Sequence, residues 1–281
     1  MKCNILGGLA VSALLVAAPL SGALAADMPL KAPPPPPPPV YGWTGFYVGG
    51  NIGYSWGDTS GDLSVTTVSP FPLGLPTSFP GSTHPDGVIG GGQIGYNWQA
   101  NQTWVLGLEA DIQGSAERAS TNITDPFSFF YARGAAGLPA TVNQTNREAS
   151  IEWFGTVRGR IGVLATPTLL LYATGGLAYG GISASDNFAV NVTGFVPPTV
   201  FSATFGNSAI NVGWTVGAGV EGMFPNTTNW TWKAEYLYID FGSISGSGGG
   251  PLPAPFGTYS FGWSSRVTDN ILRVGVDYHF N

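Results

Sequence analysis

Ile210-Asn211-Val212-Gly213-Trp214-Thr215-Val216-Gly217-Ala218-Gly219-Val220-Glu221 alternates without a break: every even position is apolar, every odd one is Asn, Gly, Thr or Glu. A period of two puts successive side chains on opposite faces of a strand, whereas a helical face would repeat near 3.6. The same split recurs through Phe46 to Trp56, Ile94 to Trp98, Trp104 to Ile112, Ile151 to Val163, Trp230 to Tyr238 and Leu272 to Phe280. A further strand around Leu169 to Gly181 has an apolar run that leaves its two faces unassigned. The pattern predicts eight strands of about 10 to 14 residues, against a mode of about 5 to 6 in globular proteins. A tilted strand that crosses a bilayer needs roughly 9 to 11.

Short and long connections alternate along the chain. Turns are expected near Ala100 to Gln102, Ala165 to Thr168 and Pro225 to Asn229, and long links over 58–86, 114–149, 184–209 and 243–267. Short turns on one side and long loops on the other are the plan of an outer-membrane barrel, and an even strand number closes it without an edge. Composition agrees. Only 9% of the 281 residues are charged, where a soluble domain carries about 25%. In their place stand 42 Gly, 23 Pro, 9 Trp, 11 Tyr and 16 Phe. Such a chain is too aromatic to be disordered and too poor in charge to cover a water-facing surface, which disfavours a soluble β-sandwich or lipocalin-like barrel. A net charge of −6 and a pI near 4.7 exclude nucleic acid as a partner.

The N-terminus reads as an address. Lys2, an apolar stretch from Ile5 to Leu20, and Ala23-Leu24-Ala25 fit a signal peptide over 1–25, cleaved before Ala26. Cys3, the sole cysteine, leaves with it, which excludes disulfides and thiol chemistry in the mature chain. Residues 26–43 form a periplasmic leader in which Pro33 to Pro39 is an unbroken proline run, a semi-rigid extended tether. The barrel is expected over 44–281.

On the polar faces the inward set is Glu109, Asp111, Glu152, Arg158, Arg160, Glu221, Lys233, Glu235, Arg273 and Asp277. An eight-stranded barrel has an interior that side chains can fill, and buried charges of both signs must pair there. The expectation is a charge-paired, largely plugged lumen, with a small or gated pore for ions and small solutes as the alternative. Aromatics gather at strand ends, with Tyr96, Trp98, Trp104, Trp230, Tyr278 and Phe280 toward the short turns. Trp56, Trp153 and Trp214 stand toward the long links. Two such belts suit the two membrane interfaces.

The stretch Trp43-Thr44-Gly45-Phe46-Tyr47-Val48-Gly49-Gly50-Asn51-Ile52-Gly53-Tyr54 resembles the first strand of alphaproteobacterial outer-membrane immunogenic proteins. Residues 172–180 (YATGGLAYG), 233–240 (KAEYLYID) and 273–280 (RVGVDYHF) resemble later segments of the same family, in the same order. The resemblance implies a small, often porin-labelled barrel of the OmpA transmembrane type, an envelope component and surface antigen without catalytic residues. Its partners would be outer-membrane lipids, periplasmic chaperones and the barrel-insertion machinery. Such barrels usually end in an aromatic insertion signal. Here Asn281 follows Phe280, which leaves Phe280 to serve.

Two G-x-G-x-x-G matches, Gly90-Gly92-Gly95 and Gly217-Gly219-Gly222, sit inside alternating strands with no helix following, so neither reads as a dinucleotide site. Six N-x-[ST] matches read as turn and loop chemistry. His84 and His279 fall at opposite ends of the expected barrel, too few and too far apart for a metal site. No cofactor is implied, and no enzyme. The long links carry apolar clusters, above all Phe127, Phe129, Phe130 and Tyr131, where an extracellular ligand would be met.

Overall fold

Alternating sequences of this kind need a neighbour on each side for their backbone groups, and up to the level of Trp214 and Asp240 the ring strands supply them to one another. The computed structural model describes residues 42–68, 78–123, 128–130, 139–192, 199–251 and 258–280. The expected signal peptide, residues 26–41 of the leader, Phe127, Tyr131 and the side chains of Phe129 and Phe130 lie outside the described residues. Ten strands are described: β1 (Gly45–Val68), β2 (Ser78–Thr83), β3 (Asp86–Gln99), β4 (Trp104–Ile123), β5 (Ser128–Phe130), β6 (Pro139–Thr166), β7 (Leu169–Val192), β8 (Thr199–Met223), β9 (Trp230–Pro251) and β10 (Thr258–Phe280). Eight of them pair with their chain neighbours in an antiparallel meander, and β10 pairs back onto β1 from Phe46↔Phe280 to Val68↔Thr258. That ladder closes the sheet into a ring. β2 and β5 are short additions, on β1 and β6 respectively.

Two to six residues separate β3 from β4, β6 from β7 and β8 from β9, while of the expected long links 184–209 leaves only 193–198, and 243–267 only 252–257, outside described strand. The long links differ from the sequence expectation: most of their length is strand. β6 has 28 residues and β8 has 25, so paired arms rise beyond the membrane-length portion. These arms are rich in Ser, Thr, Asn and Gly. Apolar alternation in them is confined to short runs such as Tyr259, Phe261 and Trp263, and inter-strand hydrogen bonds hold the rest as strand.

The outward face of the lower barrel is apolar. Phe46, Val48, Ile52, Tyr54 and Trp56 are exposed along β1, as are Ile94, Tyr96 and Trp98 on β3 and Leu272, Val274, Val276 and Phe280 on β10. From Phe46 to Trp56 the stretch matches the roughly 9–11 residues a tilted membrane strand requires. At its short-turn end stand Trp98, Trp104, Trp230 and Phe280, all exposed, with Tyr278 half-buried between Trp230 and Phe280 at ring separations of 5.1 Å on both sides. At its other end stand Trp56 and Trp214, exposed, and Trp153, half-buried.

One face assignment is reversed. Glu152 is exposed, and its neighbour Ile151 is buried inside at 2%. The register of β6 against β7 skips from Ile151↔Ile182 to Trp153↔Gly181, and against β4 from Glu117↔Ile151 to Gly114↔Trp153. Glu152 is therefore the unpaired residue at a β-bulge, which turns the faces over. Counting by twos straight through it places Glu152 in the lumen and Ile151 outside, the opposite of what the bulge produces.

Both G-x-G-x-x-G runs lie within strands, β3 and β8. Gly95 and Gly219 are required by close approach, because a Cβ there would stand 2.3 Å from the Tyr47 ring and 2.6 Å from the Tyr172 ring. Gly95→Ala is expected to displace Tyr47 and to destabilise the barrel by about 1–3 kcal/mol. Gly50→Ala, whose Cβ would meet nothing closer than 3.7 Å, is expected to be tolerated. Urea midpoints of the two variants in detergent check the difference.

Candidate functional site in the barrel lumen

Alternate residues of every ring strand point inward, so the polar positions of distant sequence segments meet there. β4 contributes Glu109 and Asp111, and β6 Arg158 and Arg160. β8 contributes Glu221, β9 Lys233 and Glu235, and β10 Arg273, Asp277 and His279. All are at most 5% exposed. Glu109 is the hub. Its carboxylate takes Arg158, Lys233 Nζ at 2.9 Å, Arg273 Nη2 at 3.4 Å and Arg160 Nη1 at 3.5 Å, and it accepts the Tyr47 hydroxyl at 2.6 Å.

Around it the cations are shared. Arg158 also meets Asp111 at 3.0 Å and Glu235 at 2.8 Å, and Arg273 meets the same two at 3.1 and 2.6 Å. Arg160 reaches Glu221 at 2.6 Å and lies over the ring of Tyr172, 4.6 Å from its centroid. Glu221 in turn holds His279 Nε2 at 3.0 Å and the Thr231 hydroxyl at 2.8 Å. Asp277 accepts from Gln93 at 2.6 Å, with Lys233 3.9 Å away. Nine of the ten charges read from the polar faces thus stand together; Glu152 stands apart on the outside. Taking such charges out of water is offset only by dense mutual pairing.

Two apolar fillings bound this layer along the strands. Toward the short turns, Trp43, Val105, Leu170 and Tyr172 pack together. The Trp43 amide donates to Gln99 Oε1 at 3.2 Å, and its indole donates to the Pro167 carbonyl at 3.2 Å. Toward the long arms, the inward positions of β9 change from Lys233 and Glu235 to Leu237, Ile239 and Phe241. These pack with Ile89, Ile151, Phe154, Ala178, Ile182, Ile244, Trp263, Val267 and Ile271. Within that upper part lies a buried polar group: the Ser55 hydroxyl donates to Asp269, and Ser115 donates to Glu117 at 2.9 Å.

Sequence reasoning missed several of these. Tyr47, Leu237 and Ile239 stand on polar faces that the period of two already marked, and continuing the count would have found them. Trp43 precedes the first strand and carries no periodic signal. Glu117 continues the odd, buried positions of β4 after Glu109, Asp111 and Gln113, in a stretch read as a link rather than as strand. His279 is held by Glu221 and Thr231 and stacks on Tyr47 with ring centroids 5.2 Å apart, a structural place. Among the described residues, no group of three His, Cys, Asp or Glu side chains is placed to hold a metal ion.

Removing the hub charge strands the cations around it. Glu109→Gln is expected to cost about 3–5 kcal/mol, whereas Glu152→Gln on the outside should stay within roughly 0.5 kcal/mol. Urea unfolding in detergent measures both, and equal losses would contradict the geometry.

Residues 10–280 match the outer membrane protein beta-barrel domain family. The chain is 33% identical over 278 residues to a 31 kDa outer-membrane immunogenic protein of Brucella melitensis, covering 92% of this chain and 94% of that one. It is 31% identical over 240 residues to a 22 kDa outer membrane protein of Rhizobium leguminosarum, covering 85% and 78%. Among solved structures, Pseudomonas aeruginosa OprG aligns at 10% identity and a TM-score of 0.37, over 84% of this chain and 97% of that one.

Proposed function

We propose, from the premise that the chain belongs to the outer membrane protein beta-barrel domain family, a non-enzymatic envelope and surface protein whose lumen is sealed. The observation that supports a seal is the filling itself. Along the strands, an aromatic cap at Trp43 gives way to the Glu109 ion-pair network and then to a mainly apolar layer from Leu237 to Trp263. A solute would have to break ion pairs contributed by five strands and then cross packed Ile, Leu and Phe. The surface-antigen part of the reading draws on the name "immunogenic" that the Brucella relative carries.

A gated pore is the second reading, and one observation favours it. The buried side-chain amides of Asn97 and Gln113 make no hydrogen bond among the described residues. Groups of that chemistry suit a narrow file of water. Single-channel recording of the refolded protein in planar bilayers separates the two. The sealed reading expects no steady conductance in the wild type; a large steady conductance would overturn it.

Assembly is proposed to follow the family's route: a cleaved signal over 1–25, a proline-rich periplasmic leader, chaperone delivery, and insertion through Phe280. That ring is 56% exposed on the outward face beside Tyr278, open to a partner. Phe280→Ala should lower the yield of heat-modifiable barrel in membranes several-fold while refolding in detergent stays intact. The extracellular links, including Phe127, Phe129, Phe130 and Tyr131, are the proposed place for any ligand.

A further inference from the structure

The ring is continuous only as far up as Trp214. β8 and β9 pair from Met223↔Thr231 to Trp214↔Asp240, and no further among the described residues. Both strands nevertheless run on. β8 stays paired with β7 back to Thr199, and β9 stays paired with β10 out to Pro251. Above Asp240 the backbone ladder across this seam stops, with Asn211 Nδ2 still reaching the Phe241 carbonyl at 3.4 Å, and beyond that contact one backbone edge is left on each side.

The cause of the parting is local. The register of β9 against β10 passes from Asp240↔Thr268 to Ser243↔Arg266, so Phe241 and Gly242 together oppose Val267. Gly242 has φ of +76°, a conformation that glycine alone adopts without strain. Its amide donates to Asp240 Oδ1 at 2.8 Å, and the other oxygen of that carboxylate takes Arg266. A bulge held in this way re-aims the strand beyond it.

The two edges match. Carrying the β8–β9 register through the one-residue shift at Phe241–Gly242 would set residues 243–251 opposite 204–212, equal lengths of chain, with Ser247 facing Ser208. Neither edge carries the features that usually protect one. No charged residue occurs in 199–213 or in 241–251, and the only proline is Pro251, at the tip. Identical copies of a chain with net charge −6 repel one another, but these edges contribute nothing to that repulsion. The edges also run in opposite directions. A single guest strand between them would be antiparallel to one and parallel to the other. A second copy, upright in the same membrane and related by a twofold axis along its normal, offers its β9 edge to the first β8 and its β8 edge to the first β9. Both new ladders are then antiparallel, in the sense of the ladder below, and the interface closes on itself.

We propose that two copies of this chain pair edge to edge through the extracellular arms of β8 and β9, above the Asp240–Gly242 bulge. The proposal is independent of whether the lumen conducts. Ser208 on β8 and Ser247 on β9 are exposed on these edges, and the chain without its signal peptide contains no cysteine. Folded Ser208→Cys and Ser247→Cys proteins, each with a tag of different size, would be mixed in liposomes and oxidised.

The expected product is a disulfide-linked dimer carrying both tags, about tenfold above either variant alone. Ser208→Lys and Ser247→Lys in otherwise native arms should abolish chemical cross-linking of the dimer while leaving heat-modifiable barrel migration unchanged. Three results would overturn the proposal: no mixed dimer, a dimer indifferent to both lysines, or a Ser208→Cys/Ser247→Cys chain that closes only on itself. The last would mean that the seam zips within one copy.

Discussion

The pairing of the first strand with the last is the constraint on which everything else rests. A membrane-spanning backbone can leave no amide or carbonyl unpaired in hydrocarbon, so an open sheet edge is not permitted at that depth. The β1–β10 ladder, from Phe46↔Phe280 upward, removes the edge. Once the sheet is a ring, one face of every strand must meet lipid and the other must meet the opposite wall. The exposed Trp, Leu, Ile and Val of the outer face and the buried charges of the inner face follow from that single closure.

The lumen shows how a small ring fills itself. Glu109 draws four cations from β6, β9 and β10 and a tyrosine hydroxyl from β1. The pairing is distributed, each of the four cations meeting at least two carboxylates, which is the condition under which buried charge is tolerated. Glycine takes part in the same economy of space. Tyr47 and Tyr172 can lie flat on the wall because Gly95 and Gly219 lack a side chain. The same tyrosines then flank Arg160.

Bulges decide where the regular pattern stops being a guide. At Glu152 an extra residue exchanges the inner and outer faces and moves an acid out of the lumen. At Gly242 a second irregularity, locked by Asp240, parts two strands that are partners lower down. Both sit near the upper rim of the apolar band, where the barrel changes from a lipid-bound wall to free-standing arms. Neither leaves a trace in hydrophobic alternation, because a bulge is a property of two strands in register and not of one.

Alternation in Ile210–Glu221 and its counterparts determined, from sequence alone, the strand class and a closed antiparallel ring of eight main strands. It could do so because lipid on one face and a polar interior on the other impose a period of two wherever the chain crosses the membrane. The tertiary structure decided what no single strand encodes. It set the pairing of Glu109 with Arg158, Lys233 and Arg273, the burial of Trp43, the outward turn of Glu152, and the length of the arms beyond the lipid. Those outcomes depend on register between strands distant in sequence, and register is an interaction between neighbours that the order of residues along either one does not contain.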